Sequence, residues 1–231
     1  RYLFIPDSKI LWIPFAYVKG LSIIKRNKIR AIISTAPPFS SHLLALMLAK
    51  TTRVPFLSDF RDGWIRNDFR PDRKFSYIKV NKMLEKFVIK NSRRVTCISK
   101  SILSYLNERF PLLANNHSLI YNGFDEGDFQ TTRKTAPKFT IIMYGSATEW
   151  SDHSVFLQLL NRATKINSDF RDDLDIKIIG RIMDNTFQQL VSGSPIKDNI
   201  TFYGYLDHKL AVEQLLSGNL LLFSILKNIS P

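Results

Sequence analysis

Residues 54–64 read VPFLSDFRDGW, and this stretch indicates the fold more clearly than any other. Its first five residues are mostly apolar and predict a buried β-strand over 54–58. Two carboxylates, a guanidinium and an indole follow at once, from Asp59, Arg61, Asp62 and Trp64. In open α/β sheets, ligands bind outside the carboxyl ends of the strands. The charged cluster is therefore a candidate site, and the alternative is a solvated loop in which Arg61 pairs with a nearby Asp.

Strand-like apolar runs alternate with helical patterns on both sides of this stretch. The patterns predict strands at 31–35, 54–58, 94–98, 119–121, 139–144, 174–179, 199–203 and 220–224, and helices at 10–26, 42–50, 75–91, 101–110, 152–166, 184–191 and 208–217. Such alternation predicts parallel sheets with crossover helices. We therefore expect an α/β protein of two Rossmann-like domains, 1–130 and 131–231, with a ligand cleft between them as the default site.

Composition is that of an ordinary globular protein, with 45% hydrophobic and 23% charged residues among 231. The single cysteine, Cys97, lies in an apolar run and predicts a buried, inert thiol in a reducing cytoplasm. No apolar run approaches the roughly 18 residues of a membrane span, so we expect no transmembrane helix. The chain starts at Arg1 and stops just after a strand-like run, and we interpret it as a fragment.

The net charge of +13 is concentrated in the first half of the chain. Residues 1–100 carry 21 basic and 6 acidic side chains, whereas residues 101–231 carry 12 and 14. This asymmetry indicates that the first half meets something anionic. Nucleic acid, an anionic membrane leaflet and a phosphate-bearing substrate all fit that description.

Two basic segments favour peripheral contact with a membrane. The pattern predicts an apolar face on the helix 10–26, made of Trp12, Phe15, Ala16 and Ile23. Basic residues lie in the same helix and just after it: Lys19, Lys25, Arg26, Lys28 and Arg30. Within the helix 75–91, lysines recur every three or four residues, at positions 79, 82, 86 and 90. A charge stripe is usually a solvated face, but few acidic residues balance this one. Anionic headgroups suit such segments.

Several motifs resemble those of the bacterial family 4 glycosyltransferases. The first two matching motifs are ISTAPPFSSH at 33–42 and VPFLSDFRDGW at 54–64. Three more follow in the family's order: CISK at 97–100, IYNGFD at 120–125 and ITFYGYL at 200–206. The family consists of retaining, metal-independent enzymes with the two-domain GT-B fold. Its first strand with a glycine-rich loop, and a late Glu-containing motif, have no counterpart in this sequence. The resemblance therefore implies an incomplete second domain and a fragment that is inactive by itself. Gly63 stands where the family often has proline.

The resemblance implies a nucleotide diphosphate sugar as donor, with no cofactor and no metal. A metal-free site stabilises the leaving diphosphate with cationic side chains and helix N-termini. Gly145 and Ser146 end a predicted strand before a helix, which suits backbone contact with phosphates, although a plain turn explains them equally well. Arg181, Gly204 and Tyr205 end later strands and are expected to contact the nucleotide, or to be ordinary surface-turn residues.

On the acceptor side, the resemblance assigns catalysis to Asp59, Arg61 and Asp62. Arginine stays protonated and cannot be a base, so Asp59 or Asp62 would orient the acceptor hydroxyl. In the front-face mechanism attributed to retaining GT-B enzymes, the donor phosphate itself takes the proton.

Further candidates for substrate contact are Ser34, Thr35, Pro38 and Asn122, together with Trp64, which either stacks on a sugar or packs under the loop. Ser40 or Ser41 is expected to cap the helix that begins at His42, and His42 to be a residue of its first turn. The spacing of His, Cys, Asp and Glu predicts no metal site.

The leading hypothesis is a hexosyltransferase-type enzyme that transfers a sugar to a lipid-linked acceptor in cell-surface polysaccharide or lipopolysaccharide synthesis. It would be cytoplasmic and peripheral to the membrane. The alternatives are a basic nucleic-acid-binding protein and a nucleotide-sugar Rossmann protein that is not a transferase, such as an epimerase. The sequence contains neither a recognised nucleic-acid module nor a Gly-x-Gly-x-x-Gly fingerprint.

Overall fold

The computed structural model describes residues 4–65, 75–130, 136–146, 154–183 and 185–223. The chain forms two compact units that divide between Gly123 and Phe124. The division lies a few residues before the boundary predicted at 130.

The first unit alternates helices and strands along the chain. Its helices are α1 (Ile13–Arg26), α2 (Ser40–Thr52), α3 (Phe75–Asn91) and α4 (Lys100–Arg109), and its strands are β1 (Ile32–Ala36), β2 (Phe56–Phe60), β3 (Arg94–Cys97) and β4 (His117–Leu119). Short 3-10 turns precede α1 at Ile10–Trp12 and β4 at Pro111–Asn116. All eight elements predicted for this unit are present, and their ends shift by no more than three residues.

The four strands make one parallel sheet in the order β1-β2-β3-β4. One face of β2, from Phe56 to Phe60, is buried against apolar residues of α2, α3 and α4, including Leu46, Val88 and Leu106. The strand extends two residues past the predicted end at 58, because Phe60 belongs to this core. Asp59 therefore lies inside the strand, and the loop begins at Arg61.

Helix α2 is capped by a residue far away in the sequence. The sequence predicts that Ser40 or Ser41 caps the helix with its own side chain, and this is wrong: the helix already includes Ser40, and its N-cap Phe39 makes no side-chain cap bond. The Asp7 carboxylate accepts from Ser40 N at 2.8 Å and from Ser40 Oγ at 3.0 Å. A carboxylate at a helix N-terminus also interacts favourably with the helix dipole.

Helix α1 buries a different face from the predicted one. Ile13 and Ile24 are its buried residues, whereas Phe15 is 82% exposed, and Trp12 and Ile23 are exposed as well. The helix contacts α2 along the buried side. Large apolar side chains of α1 therefore face outward beside its lysines.

The second unit repeats the alternation. Its strands are β5 (Phe139–Tyr144), β6 (Leu174–Ile179), β7 (Ile200–Gly204) and β8 (Leu220–Leu222), and its helices are α5 (Ser154–Ile166), α6 (Ser168–Asp173), α7 (Asn185–Ser192) and α8 (His208–Ser217). Helix α6 is missing from the sequence prediction. The predicted start of α5 at 152–153 and the end of β8 at 224 lie outside the described residues.

The second sheet is also parallel, but its strand order is β7-β6-β5-β8. The order along the sheet therefore reverses at β5, which pairs with β6 on one side and with β8 on the other. The core on one face gathers Ile141, Ile176 and Phe187, and a smaller cluster on the other face contains Ile142 and Ile179. The prediction of an α/β protein with two parallel-sheet units is confirmed.

Candidate functional site

A row of polar side chains crosses the first sheet at one register position. Thr35 of β1 pairs in register with Asp59 of β2, and Asp59 with Thr96 of β3. The Asp59 carboxylate accepts from Thr96 Oγ1 at 2.7 Å through Oδ1 and from Thr35 Oγ1 at 3.4 Å through Oδ2. Asp59 is half-buried, so these bonds orient a carboxylate that remains accessible.

The loop after β2 presents Arg61 and Asp62 to solvent. The Arg61 backbone N–H donates to the carbonyl of Ala36 at 3.0 Å, which ties the loop to the end of β1. The Arg61 guanidinium donates to the side-chain carbonyl of Asn122. Arg61 and Asn122, separated by half the unit in sequence, are thus brought together beside the polar row.

Trp64 and Ser34, two predicted substrate contacts, lie in the core of the first unit. Trp64 is 1% exposed, stacks on Phe39 with ring centres 4.8 Å apart, and donates from Nε1 to Asn81 Oδ1 at 2.8 Å. Of the two roles that the sequence left open for Trp64, the structure shows packing. Ser34 is buried and bonds to His42, with Oγ and Nδ1 2.8 Å apart. We therefore leave Ser34 and Trp64 out of the candidate site.

The nearby His42 and Cys97 are structural residues. Burial lowers the pKa of His42 to about 3, so the ring is neutral at physiological pH. Burial also raises the pKa of the Cys97 thiol to about 11, which disfavours the reactive thiolate. These values agree with the predictions of a non-catalytic histidine and an inert cysteine. Pro38, half-buried between β1 and α2, stays a candidate.

Three strand-end glycines lie side by side at the carboxyl edge of the second sheet. Gly145 follows β5, Gly180 follows β6 and Gly204 ends β7. Gly145 N donates to the carbonyl of Ile179 at 2.9 Å, and Gly180 N to the carbonyl of Gly204 at 2.8 Å. All three have positive φ. A Cβ on Gly180 would lie 2.0 Å from the Gly145 carbonyl oxygen, so only glycine fits this close approach.

Arg181 and Tyr205 extend from the ends of the two neighbouring strands and meet. The Arg181 guanidinium carbon lies 5.5 Å from the centre of the Tyr205 ring, and Tyr205 is 74% exposed. Gly145 and Ser146 directly follow β5, the strand at which the sheet order reverses. Ligands of open α/β sheets bind at such reversal points, outside the carboxyl ends of the strands. The described edge combines accessible backbone, one cation and one aromatic ring.

Comparison with known protein families identifies the first unit. The model of glycosyltransferase family 4 matches residues 1–127, which is more than half of the chain. The chain belongs to glycosyltransferase family 4. A search of curated proteins finds no match.

Solved structures with the same fold support this membership at the level of architecture. Anabaena HepE, solved in complex with UDP, has a TM-score of 0.67 at 12% identity over 89% of this chain and 55% of its own. The lipopolysaccharide outer core galactosyltransferase WaaB has 0.59 at 14% identity over 93% and 55%. A candidate UDP-N-acetylglucosamine 2-epimerase of Listeria monocytogenes has a TM-score of 0.54 at 10% identity, over 95% of this chain and 58% of its own.

These likenesses show the fold, which is of the GT-B type with two Rossmann-like units. Our family 4 chain spans a little over half the length of each of the three proteins. They include a galactosyltransferase and an epimerase, so the fold alone does not select the reaction.

The part of the chain that the structure describes contains no group of three metal-binding side chains. Within those same residues, no helix is long and apolar enough to cross a membrane. Thr96 is the site residue that sequence reasoning missed. It lies within an apolar run, and only the strand register shows that it bonds to Asp59.

Proposed function

We propose that this family 4 chain takes part in transferring a sugar from a nucleotide diphosphate sugar to a lipid-linked acceptor, in cell-surface polysaccharide or lipopolysaccharide synthesis. The observation that carries the proposal is the edge of the second sheet, where Gly145, Gly180 and Gly204 converge at the reversal of strand order. Donor binding is assigned to this edge, and acceptor positioning to the polar row around Asp59.

The edge suits a nucleotide diphosphate on chemical grounds. Strand-end glycines let phosphate oxygens approach backbone N–H groups, and Arg181 supplies a charge-assisted partner without a metal. The exposed ring of Tyr205 offers a flat apolar face for a base. UDP is the first nucleotide to test, because Anabaena HepE was solved in complex with it.

The polar row suits a positioning role better than proton abstraction. The Asp59 carboxylate already accepts bonds from two threonines, which fixes its direction. Arg61 beside it holds a permanent positive charge and is suited to stabilising a leaving phosphate. We propose a retaining, metal-independent reaction in which the donor phosphate takes the acceptor proton, as the family resemblance implies.

A membrane-associated acceptor is supported by the surface of the first unit. Phe15 and Trp12 are exposed next to the lysines of α1, and the first hundred residues carry 21 basic against 6 acidic side chains. Basic and aromatic residues on one exposed helix favour anionic headgroups. We therefore place the enzyme at the inner face of the cell membrane as a peripheral protein.

Calorimetric titration with UDP tests the donor site. Replacing Arg181 by Ala removes a charge-assisted contact of about 1.5–3 kcal/mol, so we expect UDP affinity to fall by roughly tenfold to a hundredfold. Lys197→Ala is the matched control, because Lys197 is exposed and precedes β7 at its opposite end. If Arg181→Ala and Lys197→Ala changed UDP affinity equally, the assignment of donor binding to this edge would be wrong.

A transfer assay on the complete enzyme tests the reaction itself. A panel of nucleotide sugars is offered with lipid-linked acceptors, and the product is detected by mass spectrometry. Transfer that depends on both donor and acceptor is the expected result. If no sugar is transferred and no nucleotide binds across the panel, the proposal is wrong.

An epimerase is the second candidate, because the Listeria protein shares the fold. Epimerisation changes the donor sugar without any acceptor, so the same assay with the acceptor omitted separates the two reactions. A nucleic-acid-binding protein remains the third, motivated by the basic first half. It predicts salt-sensitive binding to duplex DNA, and an electrophoretic shift assay at low salt decides that question.

A further inference from the structure

A cavity of about 360 Å³ lies outside both clusters of the candidate site, beside α3 and the end of α4. Its lining comes from α3, from the last residue of α4 and from the start of the following 3-10 turn. The residues are Lys86, Lys90, Arg109, Phe110, Pro111, Leu112 and Leu113. The lining thus combines three cationic side chains with four apolar ones.

The charge of this cavity is strongly unbalanced. Its described lining includes three cations and no carboxylate. Helix α3 contains a single acidic residue, Glu85, which is buried and contacts the Arg109 Nε at 3.0 Å. The other nearby carboxylate, Glu108, accepts from Ser104 Oγ and is not a lining residue. Lys86 and Lys90 are both exposed, so their charges face whatever enters.

The rim of the cavity includes exposed apolar residues. Leu112 is 98% exposed, and Pro111 beside it is exposed as well. A single exposed Leu needs no explanation, but these two residues line the same cavity as three cations, so the surface is amphipathic.

We propose that this cavity is a docking site for the headgroup of an anionic phospholipid in a bilayer. Lys86, Lys90 and the exposed part of Arg109 contact the phosphate, while Leu112 enters the acyl boundary. The inference rests on the proposed function in one respect, that a lipid-linked acceptor requires the enzyme to sit on the membrane. Phosphate in solution would leave the apolar rim without a role. A nucleic acid would be expected to follow an extended groove, whereas this cavity is lined by only seven of the described residues.

Sedimentation of the full 231-residue chain with vesicles tests the site. The vesicles are phosphatidylcholine alone, or phosphatidylcholine mixed with phosphatidylglycerol. Each lysine near an anionic surface contributes about fivefold to partitioning, so Lys86→Gln with Lys90→Gln should lower binding to the mixed vesicles by about thirtyfold. The control pair is Lys165→Gln with Lys197→Gln, two exposed lysines of the second unit with the same loss of charge. We expect the control pair to change binding by less than about threefold.

The apolar contribution is tested separately. Leu112→Ser should lower vesicle binding by about tenfold, because an exposed Leu gains about 1.5–3 kcal/mol when it is buried in an apolar phase. Leu159→Ser is its control, since Leu159 is an exposed residue of α5. All substituted positions are exposed, so melting curves should match that of the unchanged chain.

Three outcomes overturn the proposal. The first is equal binding to vesicles with and without phosphatidylglycerol. The second is an equal loss for the pocket pair and the control pair. The third is that the pocket pair lowers binding of inorganic phosphate or duplex DNA but leaves vesicle binding unchanged, which would assign the cavity to a soluble anion or a nucleic acid. UDP titration of the same variants separates the two proposals. Lost vesicle binding with intact UDP binding fits the docking site, and absent UDP binding with intact vesicle binding contradicts only the proposed function.

Discussion

Glu85 is a buried ionisable residue of the first unit. Its carboxylate is buried on α3, where Tyr105 donates to it at 3.0 Å and Arg109 approaches it at 3.0 Å. Burial raises the pKa of this carboxyl to about 7, and the two partners offset only part of that rise. The folded protein therefore holds a proton on Glu85 under conditions in which the unfolded chain does not.

The pKa shift of Glu85 predicts how stability depends on pH. The pKa of Glu85 in the folded protein lies above its unfolded value of 4.5. Its contribution to the free energy of unfolding is therefore fully present below pH 4.5 and is lost as pH rises through about 7. Glu85→Gln removes this titration. Relative to the unchanged chain, its free energy of unfolding should rise by about 3 kcal/mol between acidic and mildly basic pH. Urea unfolding at about pH 5 and about pH 8 measures it.

Glu108→Gln provides the control for this experiment, because Glu108 is exposed on the neighbouring helix. The free energy of unfolding of Glu108→Gln should differ from that of the unchanged chain by the same amount at both pH values. A pH-independent difference for Glu85→Gln would show that the buried carboxyl does not titrate in this window.

Arg61 and Asp62 are predicted to matter for turnover and little for stability. Both are exposed, and surface substitutions usually change stability by within about 0.5 kcal/mol. In the complete enzyme, Arg61→Ala or Asp62→Ala should lower kcat/KM by at least about tenfold, through the loss of a group that we propose to contact substrate. Lys138→Ala, at another exposed position, is the control. Near-normal turnover in both variants would return the loop to a solvated surface role.

At the scale of elements, a close backbone contact joins the ends of β5 and β6. Gly180 packs its α-carbon against the Gly145 carbonyl with no room for a side chain. The same contact fixes the spacing of the backbone groups that we assign to the donor phosphates. Fold and site therefore depend on one glycine.

Gly180→Ala should lower stability and donor binding together. The added Cβ would overlap the Gly145 carbonyl oxygen, and the φ of +136° is unfavourable for alanine. We expect a cost of about 3 kcal/mol or more, seen as a lower Tm and weaker UDP binding. Gly123→Ala is the control, because a Cβ there would meet nothing within 4 Å and its φ lies outside the left-handed region. Similar melting temperatures for the two variants would contradict the close contact.

Local patterns predicted elements better than they predicted contacts. The helix Phe75–Asn91 and the strand Phe139–Tyr144 have the bounds that the sequence indicated, because their apolar residues recur with a clear period. Helix α6 was missed because its sequence SDFRDD has no apolar periodicity, although Asn167 before it is a capping residue that accepts from Phe170 N. A six-residue helix is also too short to show a helical hydrophobic pattern.

The site was predicted in outline, and its errors came from contacts between distant residues. Asp7 caps α2 from 33 residues away, which no local capping rule anticipates. Thr96 joins the site only through the register of β3 with β2. Trp64 and Ser34 were chosen for their neighbours in sequence, whereas their burial depends on how α2 and α3 pack on the sheet.

At the scale of the whole molecule, each unit has a core of its own. The core of the first unit is built on Phe56, Phe60 and Trp64, and those of the second on Ile176 and on Ile142. The basic surplus belongs to the first hundred residues, whereas the strand-end glycines that we assign to the donor belong to the second unit. Lipid attraction and nucleotide binding are thus assigned to different units.

Separate cores predict that damage to one unit stays local. Ile176→Ala removes a buried side chain and should cost about 2–5 kcal/mol in the second unit. Hydrogen exchange should accelerate in β5 and β6 and remain unchanged in β2 and β3. Val155→Ala, at an exposed position of α5, is the control and should change neither stability nor hydrogen exchange in either sheet. Faster exchange throughout both sheets would show that the units unfold together.

The reversed strand order of the second sheet also has a consequence for biosynthesis. Ile141 of β5 pairs with Leu220 of β8, so one side of β5 gains its partner only after that later strand has left the ribosome. Until then, that edge offers unpaired backbone groups to any neighbouring nascent chain. Pairings between distant residues also form slowly. The strand that organises the proposed donor site is therefore exposed to misassembly while the polypeptide grows.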